Sequence, residues 1–181
     1  MNSNDPINSA IYGGIKRGIS VCLQNECWGS AVILIYSGID AMAFLALPKD
    51  KVEVVETDFV GWCEKYIRFP GDEQISGMEL YSARCGMVHT FGVESRKTRQ
   101  NKCRLLGYTD RCDPAILYSR EQRPDFALVS MEALANAFSA GVDKFLVDLF
   151  ADSTQSAVAE RRLNKLVVAF PTGHFEKSIV R

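Results

Sequence analysis

The stretch "ELYSARCGMVHTFG" (79–92) sets Arg84 and His89 five positions apart, and His89 is one of only two histidines in the chain. An imidazole titrates near neutrality, so it can take up and return a proton at working pH. A guanidinium keeps its charge there, and its planar fork can hold two phosphate oxygens while negative charge builds on them. The pair suits acid–base chemistry on a phosphate ester.

The element that must carry both groups is a helix over residues 76–91, ended by Gly92. At about 100° per residue, Leu80, Ala83, Met87, Val88 and Phe91 gather into an apolar stripe, and Arg84 falls inside it. His89 lies about 140° away, near Ser82 and Cys85. A buried guanidinium without a partner is costly. Either the stripe faces a cleft or an interface, or a carboxylate pairs with Arg84. The apolar run over residues 28–47 offers one polar strip, Tyr36, Ser37 and Asp40, with Tyr36 and Asp40 four apart on one face. Asp40 either faces Arg84 and fixes its orientation, or it caps, pairs or meets solvent elsewhere.

Arginine, four residues and histidine near a helix end ("RCGMVH"), after an apolar helix carrying "SGIDAMA", resembles the HEPN family (higher eukaryotes and prokaryotes nucleotide-binding domains). Those proteins are small all-α bundles, and many are metal-independent ribonucleases with the signature Arg, four to six residues, His. The motif resemblance covers residues 28–92. It implies an endoribonuclease of the toxin or phage-defence type that works without a cofactor. The ribose 2′-OH would attack the adjacent phosphate, giving a 2′,3′-cyclic phosphate and a 5′-OH. His89 would be the general acid/base and Arg84 the phosphate and transition-state stabiliser, with Asp40 and Tyr36 in support. Tyr81 would orient the phosphate or simply pack. The family pairs helices from two subunits, so the resemblance also implies a homodimer with a shared cleft, and an antitoxin or other regulatory protein to restrain it. The residue after the family's arginine is often Asn, Asp or His, and here it is Cys85.

Past His89 runs "SRKTRQNKCR" (95–104), with Arg96, Lys97, Arg99, Lys102 and Arg104 and no acid. Beside a phosphate-cleaving site it would grip RNA, with affinity falling as salt rises. Its alternative is an ordinary solvated loop. A Cys85–His89 nucleophile pair on one helical face is a further reading. So are a catalytically silent module that binds nucleotide, RNA or a partner protein, and an unrelated helical interaction protein.

The whole chain sets the frame. Its 181 residues fit one domain, 1–181, and a net charge of −1 argues against attraction of nucleic acid or anionic lipid by the entire surface. The polar start "MNSNDPINSA" lacks a signal-peptide pattern, and residues 1–6 are expected to be disordered. Residues 31–47 reach only the low edge of a membrane span and contain Asp40, so a buried core helix, no membrane and a cytoplasmic location are expected. Six cysteines without a Cys-x-x-Cys pair read as free thiols; zinc would require Cys103, Cys112 and His174 to converge. Helices are expected at 8–24, 28–47, 58–68, 76–91, after the N-cap Ser130, and from 153 to 170. A small β-hairpin is expected near 103–119. The expected fold is mainly all-α, an antiparallel bundle of five or six helices with that insertion.

Overall fold

The computed structural model describes residues 5–166. Wide, π-type turns over Ile7–Lys16 lead without a break into α1 (Arg17–Gln24). Then come α2 (Trp28–Ala46), α3 (Glu56–Tyr66), α4 (Gly77–Thr90), the short α5 (Arg96–Arg99), β1 (Leu105–Thr109), β2 (Ile116–Leu117), β3 (Phe126–Ser130), α6 (Met131–Ala151) and α7 (Ser153–Leu163). The protein is mainly helical with a small β insertion, as its sequence pattern requires. The expectations for residues 1–4, for helix beyond Leu166 and for His174 lie outside the described residues.

α2 is the centre. It is apolar almost all round, and Pro48 cannot continue it. Ala31, Val32, Ile35, Ile39, Met42 and Leu45 are buried along it, and α1, α3, α4, α6 and α7 all pack against it. Each fully buried large aliphatic side chain contributes about 1.5–3 kcal/mol of transfer free energy. Among the described helices α2 alone is long and apolar enough to cross a membrane, yet half of its most apolar window is buried inside the fold. Ser130 caps α6, its hydroxyl accepting from the Ala133 N–H at 3.1 Å. α6 then lays Phe138 and Phe145 against Trp62 of α3, with ring centroids 6.3 and 5.9 Å apart.

The β insertion has a different topology from the expected hairpin. β1 and β2 do not pair with each other. Both pair with β3, in the order β1-β3-β2, β1 parallel to it and β2 antiparallel. A parallel pair needs a long connection, here residues 110–125, so adjacency in sequence gave the wrong partner. The sheet is fastened to the helices by a hydroxyl–hydroxyl bond of 2.7 Å between Tyr36 of α2 and Tyr108 of β1. Burial pushes the Tyr36 phenol well above its usual range, so both phenols stay protonated.

Candidate functional site

α4 starts from a closed network. The Ser76 hydroxyl accepts from the Glu79 N–H at 3.2 Å, and the Glu79 carboxylate accepts from the Ser76 N–H at 2.8 Å. This reciprocal pair is a capping box. The same carboxylate, only 5% exposed, takes Arg104 Nε at 2.5 Å and Nη2 at 3.1 Å. The Arg104 guanidinium lies over the Tyr118 ring, 4.3 Å from its centroid. Burial opposes the charge on Glu79, but Arg104 and the Ser76 donors outweigh it and hold the carboxyl below its ordinary range.

Two turns along α4, Arg84 reaches back to the centre of the fold. Its Nε and Nη2 both lie on Asp40 Oδ2, at 2.9 and 2.8 Å. The side chains keep 23% (Arg84) and 28% (Asp40) of their surface exposed, so the pair sits at a rim rather than in the core. Cys85, next along the helix, also lies against the Arg84 side chain. Burial raises the Asp40 carboxyl, and the guanidinium only partly offsets this. Arg84 stays charged at any working pH.

The other end of α4 is open. Phe91 terminates the helix in the left-handed region, at φ 53°. The expected stop, Gly92, is one residue too late. The Phe91 ring covers Gly29 at the start of α2, where any Cβ would come within 2.4 Å of it. The chain then folds back over its own helix. A Cβ on Gly86 would lie 2.7 Å from the Gly92 carbonyl and 2.9 Å from that of Glu94, so only glycine lets the return strand cross so closely. The return brings the Ser95 hydroxyl to 2.5 Å from that of Ser82, both buried. Ser95 also caps α5 by accepting from the Lys97 and Thr98 N–H groups.

This crossing makes a crevice of about 600 Å³ walled by Cys85, His89, Glu94, Ser95, Arg96 and Arg99. A second depression of about 340 Å³ holds Tyr81, Glu56, Lys97 and Lys102 and shares Cys85, Ser95 and Arg96 with the first. His89, Arg96 and Arg99 are exposed and make no salt bridge among the described residues.

The candidate residues therefore separate into groups. Arg84 and Asp40 meet as one sequence alternative required. His89, Arg96 and Arg99 share the crevice, with Lys102 next door. Arg84 does not line that crevice; within one chain the two groups of the motif face different sides of α4. Lys97 is tied to Glu56 at 2.8 Å, and Arg104 to Glu79, so two of the five basic residues work inside the fold. Tyr36 is fully buried on Tyr108, away from the crevice. Tyr81 packs edge-on against Phe59, centroids 5.5 Å apart, with Lys97 Nζ 5.8 Å from its ring centroid. The described residues contain no cluster of three potential metal ligands. Sequence reasoning missed Glu79, Ser82 and Ser95. The signal for Glu79 was present, a serine three residues ahead of it; nothing in the sequence announced Arg104 as its partner.

Comparison with protein-family models, with curated proteins and with solved structures gives no significant match.

Proposed function

We propose that this protein is a metal-independent endoribonuclease of the HEPN type that acts as a homodimer. His89 exchanges the proton of the attacking 2′-OH or of the leaving oxygen. Arg84 neutralises the phosphate as charge develops. Arg96, Arg99 and Lys102 grip the RNA backbone on either side. The observation that carries the reading is the fastening of a partly exposed Arg84 to Asp40, one and a half turns before an exposed histidine in a crevice that Arg96 and Arg99 also wall. A cation held in place before substrate arrives costs no reorganisation during reaction. Arg84 and His89 of one chain do not share a crevice, so the second copy supplies the missing partner to each. A toxin or phage-defence role, in the cytoplasm and under control of an antitoxin, follows from the same resemblance.

The test is RNA cleavage in EDTA with the full chain. Cleavage should yield 2′,3′-cyclic phosphate ends and vanish in Arg84→Ala and in His89→Ala, with circular dichroism unchanged in both. Mixing the two inactive variants should restore part of the activity if the sites are shared between copies. Full activity in His89→Ala would eliminate the reading.

A second reading is favoured by Cys85, which lies between the two basic depressions where the family often carries a stronger hydrogen-bonding residue. On that reading the crevice binds RNA without cutting it, and gel shifts would be seen with intact RNA.

A further inference from the structure

A second concentration of positive charge lies far from His89. Phe91 covers the first turn of α2, whereas this cluster surrounds the last turn and the loop after it. The 19 residues of α2 separate the two ends by about 28 Å. The pocket measures about 150 Å³ and is walled by Lys49, Lys51, Arg161, Arg162 and Lys165, with Phe44 behind them.

Arg162 forms its floor. It is 7% exposed and donates to the backbone carbonyls of Leu47, Pro48 and Lys51, while its guanidinium lies 5.4 Å from the Phe44 ring centroid. These bonds solvate the cation and also hold the loop that carries Lys49 and Lys51 against α7. They do not cancel its charge. Lys51 is neutralised by Asp58 at 2.7 Å. Lys49, Arg161, Arg162 and Lys165 have no carboxylate partner among the described residues. Asp50, Glu53 and Glu160 are exposed nearby in sequence and do not line the pocket.

Two helix C-termini meet here, each equivalent to about half a negative charge. Four unpaired cations outnumber them. Lys49, Arg161 and Lys165 are exposed and free to close on a ligand. In a chain of net charge −1 such local crowding of like charge is unfavourable in itself, and a bound anion relieves it. The volume limits the ligand. Whole drug-sized molecules occupy about 300–1,000 Å³, so this pocket admits only a compact anionic group.

We propose that this pocket is an oligophosphate site, in which Lys49, Arg161 and Lys165 close over the fixed Arg162. The ligand is a pyrophosphate-type group, either free or as the tail of a nucleotide. The site is independent of the ribonuclease reading and would stand if that reading fell.

Calorimetric titration of the full chain at low salt tests it. Inorganic pyrophosphate should bind one site with Kd below about 1 mM. The exposed double substitution Arg161→Ala/Lys165→Ala should weaken binding tenfold or more without altering the melting temperature. Arg96→Ala/Arg99→Ala, in the His89 crevice, should leave binding unchanged. Parallel titration with ATP separates the two sources: tighter ATP assigns a nucleotide tail, tighter pyrophosphate a free ion. No binding at 1 mM, or loss of binding in the crevice variant instead of the α7 variant, overturns the proposal.

Discussion

The two ends of α4 each gather charged side chains and use them in opposite ways. At the first end, serine, glutamate and arginine form a closed set in which each charge and each hydroxyl has a partner. At the last end, histidine and two arginines stand around a crevice with no carboxylate holding them. Burial makes the difference. A charge only 5% exposed, like Glu79, must be neutralised where it sits, whereas exposed charge can wait for a ligand. Arg84 lies between these limits, tied on one side to Asp40 and open on the other. The same helix thus starts in a closed network and finishes beside an open crevice.

The largest effect should come from opening the closed end. Glu79→Ala removes the carboxylate that accepts from Arg104 Nε and from the Ser76 N–H, leaving the guanidinium only the Gln74 carbonyl at 2.9 Å and Glu73 at 3.8 Å, and should cost about 3 kcal/mol in urea unfolding. The pH dependence carries a matching sign. The Glu79 carboxyl is held below its ordinary 4.5 in the folded chain. Its contribution is therefore present above pH 4.5 and lost as pH falls through the lowered folded value. Glu79→Gln should flatten stability in that acid range, and equal acid slopes for the two proteins would contradict the assignment.

Next comes the crossing that builds the crevice. Gly86→Val places a side chain against the carbonyls of Gly92 and Glu94, and should cost about 2 kcal/mol by thermal unfolding. Crystallography of the variant should show the 92–95 segment displaced. Asp40→Asn should cost about 1 kcal/mol, because the pair is only partly buried. Its larger consequence should be a drop in RNA cleavage, through a less firmly held Arg84. Undiminished cleavage in Asp40→Asn would show that orientation by Asp40 is unimportant. The smallest effect on folding belongs to the open end. Arg96→Ala/Arg99→Ala should change stability by less than about 0.5 kcal/mol. RNA affinity should fall, and the slope of log affinity against log salt should shrink by about 2. A large loss of stability there would erase the contrast between the two ends.

Much of this was readable beforehand, for identifiable reasons. Helix α2 announced itself because an unbroken apolar run ending in Pro48 has few other outcomes. The pairing of Asp40 with Arg84 was readable because each was the odd residue in its surroundings. What escaped was set by contacts distant in sequence. The central strand β3 has no period long enough to signal itself, and its parallel partner lies across residues 110–125. Arg104 looks like one more surface cation in a basic run until Glu79, 25 residues earlier, is seen to hold it. α5 escapes a reading of the sequence because four residues cannot show a period, and only Ser95 as its cap gives it away.

The fold-back over Gly86 has one more consequence. Most of the groups discussed at both ends of α4 come from one contiguous segment, residues 76–104, closed on itself like a clasp, while Gly29, Asp40, Glu56 and Tyr118 meet it from outside. Transplanted into a foreign helical scaffold, that segment would bring its own hinge and walls. The host would need to provide acidic side chains opposite Arg84 and Lys97, a bare backbone beneath Phe91 and an aromatic face for Arg104.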